Sequence, residues 1–539
     1  MFAKRKIIRL KTALLLLSVI AVPVLVAAQH GMESEHGARS NQQAEKEREL
    51  KESVHAKLDC SDCHGEMEMM MSERAVDPII TCGRCHQPSL SAYLPSVHAV
   101  AARRNIPHAP TCVECHGSHS VKAISNPRSP TSKLLVSIET CGRCHGSVSL
   151  SRMHRLPADV VPDYQQSFHG LYAALGDQRV ANCASCHSYH DIRPSRDRLS
   201  TVNKANLQRT CGACHKGATA TFATGGIHHR PDTLGHRLVD WARAMYLMMI
   251  TVVIGLMLLH NGVDFWGRLR DRLGRWRVRQ TETRSEAVSA TSARRGDLGS
   301  YVRFTVNERV QHWIHAASFV LLAITGFALQ FGWRVPGLDA EQGALTRAFA
   351  HRAAAVVFMG LAIYHVGYML FTRRGWFNLR ALLPRIRSVR DVICSCAACI
   401  RLGPPSRADW RDLIQTVKYN LGLVKTRPIM GRFTYGEKME YFALVWGSII
   451  MIGTGLILWF EVPFLNRFRY WAFDLATMVH YYEGVLATLA IIVWHFYYTI
   501  INPDVFPLSQ AMITGKLTSE EMEREHPLEL PAKNNSREN

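Results

Sequence analysis

The chain has 539 residues, with 64 Lys and Arg against 44 Asp and Glu and a formal net charge of +20 at pH 7. That length exceeds one ordinary domain, and several long apolar runs exclude a wholly water-soluble protein. The basic excess shows no aromatic-basic nucleic-acid motif, so the chain does not read as a nucleic-acid binder.

The N-terminus carries Lys4, Arg5, Lys6, Arg9 and Lys11, then an apolar run from Ala13 to Val26 and the small residues Ala27 and Ala28. This is the pattern of an export signal, expected to span 1–28 with cleavage after Ala28. The alternative, an uncleaved anchor helix, has to make do with a short apolar run.

Six Cys-x-x-Cys-His motifs follow: Cys60-Cys63-His64, Cys82-Cys85-His86, Cys112-Cys115-His116, Cys141-Cys144-His145, Cys183-Cys186-His187 and Cys211-Cys214-His215. The pattern is the attachment site of c-type haem. The two thiols add across the haem vinyl groups and the adjacent His becomes an axial iron ligand. Zinc binding or a disulfide framework would use the cysteines but would leave all six histidines without a purpose. Haem c is attached outside the cytoplasm, which agrees with the export signal. Residues 29–237 are therefore expected to be a periplasmic domain holding six haems c, built of short helices and long loops around the macrocycles.

The motifs recur as a two-haem unit. The interval from Cys112 to Cys183 is within one position of that from Cys141 to Cys211, which marks a repeat. One unit runs from Ser96-Val97-His98 through His119 to the Cys141 motif, and the next from Ser167-Phe168-His169 through His190 to the Cys211 motif. A shorter first copy starts at Ser53-Val54-His55. The recurring positions nominate His55, His98, His119, His169 and His190 as second axial ligands, with His228 (or His229) as the sixth. The first copy has Met67 where the others have His119 and His190. Met67 is then either a ligand that raises one haem's potential or apolar packing on a haem face.

Five apolar segments follow, near 239–265, 307–331, 348–372, 439–460 and 474–501, each long enough to cross about 30 Å of hydrocarbon. The loops 266–303 and 373–438 are rich in Arg, whereas 332–347 and 461–473 hold few basic residues. The positive-inside rule puts the basic loops in the cytoplasm. The expected order is a transmembrane helix at 238–265, a basic cytoplasmic linker at 266–303, a four-helix unit at 304–502 and a cytoplasmic tail at 503–539, charged and loose over about its last twenty residues. The fold class is mainly α: a loop-rich multihaem c-type domain, one linking transmembrane helix and a four-helix transmembrane di-haem bundle.

Ionisable residues inside a span are costly and usually functional. His351 and His365 share one span, and His480 and His495 share another. Each pair is separated by about 21–22 Å along a helix, which suits two haems b stacked across a bundle. His312 lies in Arg309-Val310-Gln311-His312-Trp313. His260, in Leu259-His260-Asn261, is either a snorkelling interfacial residue or a neighbour of the cytoplasmic-side redox site. Cys394, Cys396 and Cys399 are either a metal-binding trio or reduced loop thiols.

The Arg-x-x-His-Trp start, the membrane histidines and the four-helix order resemble the b-type cytochrome subunits of formate dehydrogenases and nickel-iron hydrogenases, over about 305–500. The resemblance implies one haem b held by His351 and His480 on the periplasmic side and one held by His312 and His495 on the cytoplasmic side. His365 is then a rival ligand or a quinone-site residue, and His315 could replace His312. The formate dehydrogenase subunits also carry Lys-Tyr-Asn-x-Gly-Gln-Lys beside a menaquinone site. Here the segment reads Arg432-Phe433-Thr434-Tyr435-Gly436-Glu437-Lys438, so Gly436 and Lys438 match and Glu437 stands in for Gln. A capped helix start is the other reading of these residues. The whole order is similar to the CbcL-like inner-membrane cytochromes of metal-respiring bacteria.

The expected function is a multi-pass inner-membrane quinol dehydrogenase that passes electrons from menaquinol through two haems b and six haems c to periplasmic cytochromes or another redox partner. Gly436, Glu437, Lys438, His365 and His260 are the candidate quinone-site residues. The same cofactors would serve reverse flow, in which a periplasmic dehydrogenase feeds electrons to the quinone pool. An oxyanion reductase would need a haem with an open axial site, and a plain membrane subunit would need a catalytic partner.

Overall fold

A computed structural model describes residues 35–65, 77–223, 228, 234–285, 300–333, 336–383 and 407–530. The expected signal peptide, the Met67 segment, His229, residues 286–299 of the basic linker and Cys394, Cys396 and Cys399 lie outside the described residues.

By internal packing the chain parts into two compact units. One comprises residues up to 161 together with 181–206. It is a string of short helices, among them Cys60–His64, Val97–Arg103, Cys112–His116 and Cys183–His187. Its buried residues are small: Ser96, Ala99, Ser129, Val136, Ser137 and Ser151 among them. The described part of this unit therefore has no aliphatic core of the usual kind.

The other unit comprises 162–180 and 207 onward. Its long helices are α1 (Leu234–Ser285), α2 (Val306–Gln330), α3 (Ala340–Phe371), α4 (Tyr435–Trp459) and α5 (Tyr470–Ala490), the last continued by two π-helical turns, Ile491–His495 and Tyr497–Ile501. All five are long and apolar enough to cross a membrane. Their outward faces carry apolar side chains such as Ile363 and Phe371, 76% and 81% exposed, which would be untenable in water and is natural against lipid. Thus this is a mainly α, multi-pass membrane protein.

Caps set where these helices begin. Thr305 and Glu308 form a capping box at the start of α2, and Thr434 and Glu437 form the same box at the start of α4. Each satisfies backbone N–H groups that the first helical turn leaves open. A strand pair closes that end of the bundle: β1 (Ser300–Val302) pairs antiparallel with β2 (Lys516–Thr518). Gly515 between α5 and β2 has φ +80°, and a Cβ there would lie 2.5 Å from the Phe304 carbonyl oxygen, so the clamp requires glycine.

The loose tail expected from charge needs correction as far as residue 530. Residues 519–525 are helical, His526 is buried, and Glu529 bridges Arg303 and Arg432 at 3.0 Å each. The charges pair with the basic loop ends of the bundle instead of solvating the segment.

Candidate functional site

Each of the Cys60, Cys112 and Cys183 motifs is a single helical turn opened by a capping box, from Asp59 and Asp62, Thr111 and Glu114, and Asn182 and Ser185. One turn places both cysteines on one side with the His following. The next residue leaves the helix with positive φ, +68° at Gly65, +84° at Gly117 and +68° at Ser188, which turns the chain away directly after the imidazole.

The structure pairs five motif histidines with five of the nominated ones. Ring centroids are 6.0 Å apart for His55–His86, 6.1 Å for His64–His119, 6.3 Å for His98–His145, 6.1 Å for His116–His190 and 6.1 Å for His169–His215. Two imidazoles on opposite sides of one metal, each bond about 2 Å long, put their centroids about 6 Å apart. The geometry thus fits a bis-His haem at each pair. Burial lowers the His98 imidazole to about 4 and shifts His116, His119, His169 and His190 in the same direction. That favours the neutral form, which is the form that ligates.

The pairing follows a rule. The second motif of each unit meets the Ser-x-His of its own unit: His55 with His86, His98 with His145, His169 with His215. The first motif meets a His from the next unit: His64 with His119 and His116 with His190. Ser96 and Ser167 make the first arrangement possible by capping short helices, their hydroxyls accepting from Ala99 N at 3.1 Å and Gly170 N at 3.2 Å, which orients His98 and His169 in the first turn. The rule also accounts for Met67. The His at that position serves the preceding unit, and the first unit has none before it.

Within the first compact unit consecutive motifs touch. The Arg84 guanidinium donates to the Asp62 and Cys63 carbonyls at 3.3 and 3.4 Å, Cys82 and Cys112 lie within hydrogen-bonding reach, Arg143 donates to the Glu114 carbonyl, and Cys141 reaches Cys183. The five sites form one unbroken row.

The sixth motif belongs to the membrane unit. The His215 Nδ1 bonds Glu461 Oε1 at 2.8 Å, and Asn466 bonds Thr219 N at 3.0 Å and the Gly217 carbonyl at 3.0 Å. Glu461 and Asn466 lie in the α4–α5 connection. Arg347 on α3 stacks over Tyr172, 4.9 Å from the ring centroid. His169–His215 is thereby held at the bundle end that carries His351 and His480. A carboxylate on the outer nitrogen of a ligating His makes that ligand more basic. Glu461→Gln is expected to raise the potential of one c-type haem by up to about 40 mV, equivalent to about 1 kcal/mol of lost charge-assisted hydrogen bonding; a redox titration in which all potentials match the parent would refute this role.

Inside the bundle, His351 and His480 face each other with centroids 6.5 Å apart, and His312 and His495 with centroids 6.1 Å apart. These are the two pairs that the family resemblance implied. His315 instead packs on Phe358 at 4.9 Å. Thr325 on α2 bonds His351 Nδ1 at 2.8 Å, and Thr454 on α4 bonds His480 Nδ1 at 2.9 Å. Both hydroxyls donate to the carbonyl one turn back, at 2.6 and 2.7 Å. They must therefore accept from Nδ1–H, which leaves each Nε2 lone pair for a metal. The following residues, Gly326 and Gly455, leave open space beside the two rings: a Cβ would lie 3.7 Å from His351 and 3.3 Å from His480. His495 Nδ1 bonds Glu440 Oε1 at 2.5 Å. Arg347, one turn before His351, is buried, and its Nε and Nη2 have no hydrogen-bond partner among the described residues, a fit for the propionates of a haem b at this end.

These supporting residues expose an internal repeat missed by the pairwise reading of histidines. Arg303-Phe304-Thr305 and Glu308 recur as Arg432-Phe433-Thr434 and Glu437, Gln311 as Glu440, Thr325-Gly326 as Thr454-Gly455, and His351 as His480, all at one constant offset. Comparing the chain with itself at that offset would have found Thr325, Thr454 and Glu440.

The candidate quinone-site residues cluster at the His312–His495 end. Glu437 closes its capping box and faces Arg303 at 3.3 Å, while Lys438 pairs with Asp409 at 2.8 Å. Gly436 lies against Trp494, where a Cβ would be at 3.3 Å. His260 on α1 bonds the Tyr435 hydroxyl at 2.8 Å and lies 5.0 Å from the Trp494 ring. His365 lies at the same end, beside the pair: its Nδ1 bonds Gln311 Oε1 at 2.7 Å and its Nε2 the Tyr441 hydroxyl at 3.0 Å.

Comparison with known proteins agrees with this bundle. Residues 303–515 match the family model of prokaryotic cytochrome b561. The formate dehydrogenase cytochrome b556(fdo) subunits of Escherichia coli K12, O6:H1 and O157:H7 are each 25% identical over 229 residues, covering 42% of this chain and 90% of the relative. The family implies haem b and quinone-linked electron transfer. Residues 303–515 thus form a b-type cytochrome membrane domain resembling the cytochrome subunits of formate dehydrogenases.

Proposed function

We propose that the chain is a membrane quinol dehydrogenase. It takes two electrons from menaquinol at the cytoplasmic side and delivers them through two haems b and six haems c to a periplasmic acceptor such as a soluble cytochrome. The observation that carries this reading is the position of the sixth Cys-x-x-Cys-His motif. His169 and His215 are tied by Glu461 and Asn466 to the bundle end that bears His351 and His480. A covalent site at that end is the natural exit for electrons leaving a haem b there.

Haem supplies reversible one-electron chemistry in both domains, and the chain's own residues hold, space and tune it. The six cysteine pairs would fix haem c. His55, His98, His119, His169 and His190 would complete five of the sites, and His228 is the candidate for the sixth. His351 with His480 and His312 with His495 would hold haem b, their outer nitrogens bound by Thr325, Thr454 and, for His495, Glu440. Tyr435, Gly436 and His260 line the place where a quinol ring would approach His495. Glu437 and Lys438 would contribute by holding the start of α4 through the cap and the ion pair with Asp409. The basic loops support a cytoplasmic C-terminus and a periplasmic c-type domain.

The test is a pyridine haemochrome measurement on purified protein, followed by anaerobic addition of menaquinol. The expected c:b ratio is six to two, with reduction of the b bands followed by the c bands. Haem b absent, or c bands left oxidised by menaquinol, would sink the proposal. Haem c potentials all far below that of menaquinone would establish flow in the opposite direction.

A further inference from the structure

The internal repeat relates α2 and α3 to α4 and α5, and it makes a demand that the chain does not meet. Under the repeat His351 and His480 exchange places, so the site they form maps onto itself. The His312–His495 site does not. Its image pairs the residue at the repeat offset from His312, which is Tyr441, with the counterpart of His495, which is His365. His495 stands one position farther from His365 than His480 stands from His351. The extra residue is accounted for by the π-helical turn Ile491–His495 that interrupts α5, since a π-turn accommodates one more residue than an α-turn.

The image site retains most of its parts. His365 Nδ1 meets Gln311 Oε1 at 2.7 Å as His495 Nδ1 meets Glu440 Oε1 at 2.5 Å, and Gln311 is the repeat counterpart of Glu440. Both rings therefore present Nε2 to the facing helix. The ring centroids of His365 and Tyr441 are 5.9 Å apart, against 6.1 Å for His312 and His495. What differs is the facing side chain. The Tyr441 hydroxyl occupies the Nε2 lone pair at 3.0 Å. A phenol reaches farther from its backbone than an imidazole by roughly 2 Å, about one metal–nitrogen bond, so the hydroxyl stands where an iron would be.

We propose that Tyr441 closes a third haem b site, and that His365 is an axial ligand without a partner. The inference rests on the reading that His351–His480 and His312–His495 hold haem b. In the native protein the seal keeps the membrane cofactors to a single line of two, with no third haem branching from it at the quinol end.

The experiment is Tyr441→His in the full chain, purified and assayed by pyridine haemochrome with the six haems c as an internal count. The expected c:b ratio moves from six-to-two to six-to-three, a 1.5-fold rise in haem b, with a new low-spin ferric signal. The double variant Tyr441→His with His365→Ala returns to six-to-two. Tyr441→Phe, which removes the hydroxyl without adding an imidazole, stays at six-to-two, as does His365→Ala alone. A Tyr441→His chain that keeps six haems c and two haems b overturns the proposal. So does loss of one haem b in His365→Ala, which would make His365 a native ligand. A wild-type b content other than two would instead count against the underlying di-haem reading.

Discussion

His480→Ala is expected to leave six haems c and one haem b, and to reduce quinol-driven reduction of the c haems to background. The variant removes one of two facing imidazoles whose centroids are 6.5 Å apart. It also removes the bond that the Thr454 hydroxyl accepts from His480 Nδ1 at 2.9 Å, while that hydroxyl keeps its own bond to the Ile450 carbonyl. His480 and His495 lie about 22 Å apart along their helix. Without the site at His480, that distance separates the quinol end of the bundle from the end that holds the Cys211 motif. The remaining haem b, held by His312 and His495, should still be reduced by menaquinol. Wild-type reduction of the c haems, or retention of two haems b, would contradict the assignment.

The second large effect concerns His119. His119→Gly is expected to convert one haem c per molecule to a high-spin form with an open axial position, and that haem is the one on Cys60 and Cys63. The haem of the Cys112 motif, which immediately precedes His119 in the chain, should stay low-spin because His190 faces His116 at 6.1 Å. His119→Met should keep the Cys60 haem low-spin while raising its potential, since a thioether favours the reduced iron. Combining His119→Gly with Cys60→Ala and Cys63→Ala, which removes the affected haem, should abolish the high-spin signal. Persistence of that signal would show that ligands do not cross between units as the geometry has them.

Much of this protein is legible without coordinates because its chemistry is local in the chain. Covalent haem attachment needs two thiols and a His within one short motif, and a membrane span needs a continuous apolar run. Both survive as patterns in the sequence. The capping boxes at Thr305 and Thr434 are equally local, and so is the charge bias of the loops. The last segment is misread for the opposite reason. Its charges suggest a solvated tail, but Glu529 finds Arg303 and Arg432, both remote from it in the chain, and no local pattern reports such a pairing.

The sequence by itself determined the six Cys-x-x-Cys-His motifs, the five apolar spans and a short roster of histidines able to ligate. Only the tertiary structure decided which of those histidines face each other. Sequence order would give His119 to its neighbour at Cys112, yet the chain turns at Gly117 and delivers His119 to the unit before it, which leaves Met67 with no ligand to replace. The same holds in the bundle, where His365 and His495 look alike in one dimension. Across the helix interface one faces a tyrosine hydroxyl and the other a second imidazole. Ligation is a contact between two side chains held on separate elements, so it is set by how those elements pack.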